Sequence, residues 1–267
     1  MEIHGKTALV TGANSGWGRA VATALARGGA RVLRWVRDRG RGAAAQQAIK
    51  AASGNDQVEL FVGDLASQGS IRETAEAVRA ETDTLSILVN NAGTAFPRRG
   101  LTEEGIERTL AVNHLGPFLL THCLLARLRA SAPARIVNVG TRINTTMDLT
   151  DLNWERRRYT LMRAYAQAKL GSLHFTRELA RRLAGSGVTV NCVFPGVFLS
   201  NLGGTDGAQN VALELFARTL GWALPKPEQA AERVMYLITS EAVAEVSGAY
   251  FGNRKRIRAP AQVDDPA

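Results

Sequence analysis

Tyr165 and Lys169 stand four residues apart in Tyr165-Ala166-Gln167-Ala168-Lys169. On a helix that spacing puts both side chains on one face. A free phenol, with a reference pKa near ~10, is a poor acid at neutral pH. An ammonium roughly 4 Å away stabilises phenolate by about 4 kcal/mol at an effective dielectric near 20. That lowers the pKa by at most about three units, and the phenol then exchanges a proton with an alcohol or carbonyl oxygen near neutrality. A second constellation is Thr11-Gly12-Ala13-Asn14-Ser15-Gly16-Trp17-Gly18. An apolar run precedes it and an alanine-rich helical pattern follows. Strand, glycine turn and helix in that order build an anion site. The glycines let backbone N–H groups approach a phosphate, and the helix N-terminus adds a positive dipole end. Most dinucleotide folds space these glycines as GxGxxG; here the spacing is TGxxxGxG.

The elements that must position these groups alternate along the chain. Strands are expected over 30–36, 58–62, 85–89, 135–139, 187–193 and 249–251. Helices are expected over 19–27, 42–52, 67–82, 102–129 (broken in register near Gly116-Pro117) and 163–184. Such alternation predicts an α/β fold, a single Rossmann-type doubly wound parallel sheet with helices on both faces. One domain is expected over residues 1–252, followed by a basic, mobile tail over 253–267. Long irregular connections follow the fifth and sixth strands. Ligands of such sheets bind outside the carboxyl ends of the strands, where long loops are usually functional.

The carboxyl end of the second strand meets the adenosine ribose in such a sheet. An acidic side chain there selects NAD. Here Val36 occupies that position and Arg37 follows. A guanidinium can hold a 2′-phosphate in two-pronged fashion, so the cofactor is expected to be NADP. Arg19 and Arg39 are candidate helpers, and Asp38 is the counterweight, since it can neutralise Arg37. Arg34 interrupts the apolar character of the same strand.

Composition narrows the remaining classes. Of 267 residues, 45% are hydrophobic, enough for a sizeable core. No apolar run is expected to reach the ~18 residues of a membrane span. The first strand begins too early to leave room for a signal peptide. Cys123 and Cys192 stand alone, which suits a reducing cytoplasm, and no histidine shows metal-ligand spacing. The formal net charge is +9, which invites anionic partners. The arginines are scattered, however, and the clusters Arg156-Arg157-Arg158 and Arg254-Lys255-Arg256 lack interleaved stacking aromatics. No nucleic-acid role, membrane partner or metal is expected.

Taken jointly, the TGxxxGxG turn, Asn90-Asn91-Ala92-Gly93, Asn113, Tyr165-Lys169 and Pro195-Gly196 resemble the short-chain dehydrogenase/reductase family in order and rough spacing, from about Lys6 to Phe251. Val112-Asn113-His114-Leu115-Gly116-Pro117-Phe118-Leu119 is similar to its retinol-dehydrogenase-like branch. So are Arg37-Asp38, Asp151-Leu152-Asn153, Phe175-Thr176-Arg177-Glu178-Leu179 and Ser247-Gly248-Ala249-Tyr250-Phe251. The resemblance implies that Tyr165 is the general acid in reduction and the base in oxidation. Lys169 holds the nicotinamide ribose and tunes Tyr165, and Asn113 anchors a water linking Lys169 to solvent. Gly12, Asn14, Ser15, Gly16, Trp17 and Gly18 form the cofactor loop. Asp64 and Leu65 lie at the adenine, Asn91, Ala92 and Gly93 line the cofactor, and Pro195, Gly196, Val197 and Ser200 meet the nicotinamide end. A homodimer or homotetramer packed through the helices beginning near Thr102 and Arg163 is implied as well.

Two departures stand out. The family's substrate-binding serine is Thr141 here, which keeps the hydroxyl but adds a methyl that crowds the site. A cationic C=N bond needs less oxyanion stabilisation than a neutral carbonyl, so an imine, iminium or hemiaminal-derived substrate stands beside a carbonyl. Trp17 replaces a smaller aliphatic residue, and either packs under the loop or narrows the nicotinamide pocket. Phe96, Met147, Trp154, Phe198 and Trp222 suit a bulky small-molecule substrate. The expected activity is NADPH-dependent reduction; the alternative is a catalytically silent NADP-binding sensor or scaffold on the same fold.

Overall fold

The computed structural model describes residues 1–142, 145–196 and 227–264. Its strands are β1 (Thr7–Thr11), β2 (Arg31–Val36), β3 (Val58–Val62), β4 (Ile87–Asn90), β5 (Ala134–Val139), β6 (Val188–Phe194), β7 (Tyr250–Gly252) and β8 (Lys255–Arg256). They form one sheet in the order β3-β2-β1-β4-β5-β6-β7-β8. All neighbours are parallel except β8, which returns antiparallel to β7. The central strands read as near-continuous apolar runs because both faces are covered. Helices α1 (Gly16–Arg27) and α2 (Arg39–Ser53) belong to one face, with α7 (Pro227–Thr239). Helices α3 (Gln68–Glu81), α5 (Gly116–Ala130) and α6 (Leu161–Arg182) belong to the other. Strand alternation divides the core accordingly. Val10 and Val32 pack with Val21, Leu25 and Val234, while Leu9 and Leu33 pack with Ile71, Leu120 and Leu124.

Three of the differences from the sequence expectation have a clear local reason. Helix α2 starts at Arg39 because Asp38 caps it, accepting from the Arg41 N–H at 2.8 Å. The long helix expected from residue 102 starts at Arg108. Gly105 takes a left-handed φ of 76°, and the buried Glu107 carboxylate accepts from the N–H groups of Thr109 and Leu110, both at 2.8 Å. The break expected near Gly116-Pro117 is instead a π turn, Ala111–Leu115, between the short α4 (Arg108–Leu110) and α5. The run Arg108–Ala130 spans 23 residues at hydropathy 1.3, long and apolar enough to cross a membrane, against the expectation from sequence. Half of its apolar window is buried in the protein.

The basic segment after Gly252, expected as a mobile tail, folds back. Asn253 and Arg254, both at positive φ, turn the chain into β8. A short helix, α8 (Ala261–Asp264), follows. Arg177 Nη1 holds the Val263 carbonyl at 2.9 Å, and the Gln262 side chain exchanges hydrogen bonds with the backbone of Met147 at 2.6 and 3.1 Å. The segment thereby steadies a loop assigned to the substrate pocket.

Candidate active site

The site lies at the carboxyl ends of β1, β4 and β5. Gly12 leaves β1 at a φ of 68°, and a Cβ there would sit 2.9 Å from Ala92 Cα. A Cβ on Gly18 would sit 2.4 Å from both Asn91 Nδ2 and the Gly12 carbonyl oxygen. These glycines let the turn lie against the β4 exit. Gly16, at a φ of 50°, faces open space. Ser15 is the N-cap of α1 but makes no side-chain capping bond, so the first N–H groups of α1 are not sealed by its hydroxyl. An anionic diphosphate fits this turn on both counts: a cradle with no room for Cβ atoms at Gly12 and Gly18, and a helix N-terminus without a side-chain cap. Trp17 resolves as packing under the loop. Its side chain is 5% exposed and belongs to the buried core cluster that also holds Val21, Val137 and Val193.

Thr11 was given no role by the sequence pattern, although it opens the glycine motif. Its Oγ1 accepts from the N–H groups of Asn91 and Ala92 at 3.0 and 2.9 Å, while Asn91 Nδ2 donates to the Thr11 carbonyl at 2.8 Å. These bonds staple the β1 and β4 exits together. At the β3 exit, Asp64 accepts from the Ala66 N–H at 2.8 Å, and Leu65 packs its backbone against Gly116. At the β2 exit Arg37 is exposed. The Asp38 carboxylate is engaged in capping α2.

Lys169 is buried on α6. Its ammonium donates to the Val139 carbonyl at 2.9 Å and lies 5.8 Å from the centre of the Tyr165 ring. A Cβ on Gly93 would lie 2.8 Å from Asn113 Oδ1 and 3.3 Å from Lys169 Nζ. Gly93 is therefore the spacer across which α6 and the π turn meet. Asn113 is buried, its amide donating to the carbonyls of Thr94 and Thr109 at 2.7 and 2.8 Å. Pro117 has no N–H to return to the Asn113 carbonyl four residues back; that oxygen accepts from Ser172 Oγ at 3.1 Å. Thr141 follows β5, and its carbonyl accepts from the Tyr250 hydroxyl at 2.8 Å.

Burial dominates the ionisation of this group. Tyr165 is pushed up to about 12 and Lys169 down to about 8, each by desolvation. The expectation that Lys169 lowers the Tyr165 pKa is thus reversed here. The ammonium is turned to the Val139 carbonyl, and burial alone sets the direction of the Tyr165 shift. The Cys192 thiol, beneath Gly140, is pushed to about 12 by burial and stays neutral.

The substrate-loop residues are held by a network that the sequence did not reveal. Burial alone would raise Asp151, but hydrogen bonds from the Glu155, Arg156 and Arg157 N–H groups and the Arg157 guanidinium hold it down to about 2. Arg157 also donates to Gln167 Oε1 on α6 at 3.0 Å. Trp154, at a φ of 57°, is buried under the Arg157 guanidinium, 4.0 Å from its ring centre. Phe96 is buried under Arg108 at 4.0 Å. Tyr159 ties the two loops, donating to the Phe96 carbonyl at 2.9 Å. Phe96 and Trp154 thus shape the loops from within, while Met147 packs near Gly171 and His114. Pro195 is steadied by Arg233, whose Nη1 donates to its carbonyl at 2.8 Å. Arg233 arrives from α7 with no local motif to announce it. Val197, Phe198, Ser200 and Trp222 lie outside the described residues.

A nucleotide-type glycine turn, a Tyr–Lys pair on one helix and a buried asparagine between them define an oxidoreductase of the Rossmann type. The chain belongs to the short chain dehydrogenase family, whose model matches residues 6–210, and to its retinol-dehydrogenase-like branch. Retinol dehydrogenase 13 of Homo sapiens is 44% identical over 265 residues, covering 97% of this chain and 79% of that protein. Among solved structures, an uncharacterised protein from Mycobacterium Paratuberculosis superposes with a TM-score of 0.77 at 30% identity, over 98% of this chain and 88% of that one. The Pseudomonas aeruginosa RhlG/NADP complex gives 0.73 at 28% identity, over 94% and 96%. A Brucella melitensis 3-ketoacyl-(acyl-carrier-protein) reductase complexed with NADH gives 0.70 at 25%, over 94% and 97%.

Proposed function

We propose that this protein is an NADPH-dependent reductase of a bulky, largely apolar carbonyl compound, and runs the same chemistry backwards as an alcohol dehydrogenase. The nicotinamide, when bound, supplies or takes up the hydride. Tyr165 gives the proton to the developing alkoxide; burial keeps the phenol protonated until that oxygen develops. Lys169, charged below pH 8 and fixed by Val139, lowers the cost of the phenolate that remains and holds the ribose. Asn113, set on the π turn, keeps Lys169 spaced across Gly93. Thr141 offers a hydroxyl to the substrate oxygen. The observation that carries the reading is the buried Lys169 ammonium beside Tyr165 and Asn113 at the mouth of a glycine cradle.

NADP is favoured over NAD by Arg37, exposed at the β2 exit while Asp38 is occupied with capping α2. A carbonyl is favoured over a C=N carbon because the relatives carry the name retinol dehydrogenase. Phe118, 47% exposed on α5 and 5.2 Å from Phe175 on α6, supports a homo-oligomer packed through these helices. The free cysteines suit a reducing cytoplasm. The test is deuterium transfer from NADPH labelled on one nicotinamide face to a panel of bulky aldehydes, ketones and cyclic imines. Label on an alcohol carbon is expected. Label on amine products alone would reassign the substrate class, and tight NADPH binding without transfer would point to the sensor reading.

A further inference from the structure

Arg34 lies inside β2, in register with Val10 and Leu60 on its two neighbours, and is fully buried. Its side chain shares the face of Val32, against α1 and α2. Nη2 donates to the Gly42 carbonyl at 2.6 Å, in the first turn of α2. Nε and Nη1 are buried without a hydrogen-bond partner among the described residues. Burial lowers its pKa to about 10, which leaves it charged at neutral pH. A buried charge without a carboxylate destabilises a fold, and an apolar residue of similar size would serve the strand better.

The place of this charge gives it a use. Arg37 leaves the same strand three residues later, about 10 Å on at the rise of a β-strand. The Gly12 N–H bonds the Trp35 carbonyl at 2.8 Å, so the glycine turn starts one residue beyond Arg34. Arg39 and Arg41 follow, with Asp38 occupied as the cap. Protein rather than salt solution fills the space around the guanidinium, so screening there is weak.

We propose that Arg34 is a specificity-determining positioning residue, whose unpaired buried charge under the β2 exit favours the dinucleotide carrying a 2′-phosphate over the one lacking it. This rests on the reading above, in which Arg37 holds that phosphate. Arg34 does not touch the ligand. It acts through its field, and through its grip on the first turn of α2.

The test is calorimetric titration of the full chain with NADPH and with NADH, for wild type, Arg34→Met, Arg34→Gln and Arg37→Ala. Gln keeps a donor for the Gly42 carbonyl but no charge; Met keeps neither. Both neutral variants are expected to weaken NADPH binding roughly tenfold, the effect of one unit charge about 10 Å away at an effective dielectric near 20, and to weaken NADH binding, which shares the diphosphate but lacks the 2′-phosphate, clearly less. If one variant fails to fold, the other carries the same expectation. Equal weakening of both cofactors, or retention of the preference in Arg34→Gln, would reduce Arg34 to a brace and overturn the proposal. A preference lost in Arg37→Ala but kept in both Arg34 variants would overturn it alone. A wild type that does not prefer NADPH would overturn the NADP reading and this proposal with it.

Discussion

Replacing Lys169 with methionine should stop turnover and stabilise the fold. Lys169 is almost wholly buried, and desolvation lowers its pKa from 10.5 to about 8. At about 1.4 kcal/mol per unit, keeping the ammonium at neutral pH costs the folded state about 3 kcal/mol. Methionine removes that penalty but forfeits the hydrogen bond to the Val139 carbonyl, which contributes about 1 kcal/mol. The net gain is about 2 kcal/mol at pH 7, or roughly 4–8 °C in Tm for a chain of this length. The pH dependence gives the sharper check. Between about pH 8 and 10.5 the unfolded wild-type chain binds a proton that the folded chain has released. Wild-type stability therefore rises with pH across that window. The advantage of Lys169→Met must shrink over the same window and vanish by its top. Urea unfolding of both proteins from pH 7 to 10.5 measures this. A variant less stable than wild type at pH 7, or a gap that does not narrow with pH, would refute the assignment of Lys169 as a buried charge held for function.

The site makes three further demands. Tyr165→Phe should lower turnover by about 10²–10⁴-fold, the range for loss of a general acid, with NADPH affinity unchanged by titration. Gly93→Ala places a Cβ 2.8 Å from Asn113 Oδ1 and 3.3 Å from Lys169 Nζ; turnover should fall by at least roughly tenfold, since small displacements of this kind are costly to catalysis, while far-UV circular dichroism stays native. Asp151→Asn should release the loop around Trp154. Faster hydrogen exchange over residues 148–158 and a raised KM with a smaller change in kcat are expected, and unchanged exchange would show that Arg157 and Gln167 hold the loop without Asp151.

Whether a feature was legible in the sequence depended on how local its cause is. The glycine turn and the β2 exit were readable because a left-handed φ, a clash with a Cβ or a guanidinium after a strand is decided by one or two residues. The early starts of α1 and α2 were misplaced by three residues for a related reason: Asp38 caps α2 and Ser15 is of a capping type though its side chain makes no capping bond, and such signals compete weakly against a polar stretch when no hydrophobic period has begun. The tail after Gly252 looked mobile because basic residues and prolines mask a two-residue turn, whose effect appears only once β7 is in place to receive β8. Least legible were features fixed by distant contacts. Arg157 reaches Gln167 across the substrate loop, Arg233 reaches Pro195 from α7, and Thr11 serves the β4 exit 81 residues away. The Tyr165 pKa belongs to this class. Spacing put Lys169 on the right face, yet the direction of the shift was set by burial, while the ammonium itself is turned to the Val139 carbonyl; no pattern around Tyr165 encodes either. A motif therefore names the residues that meet, and the surrounding fold decides the proton each one holds when they do.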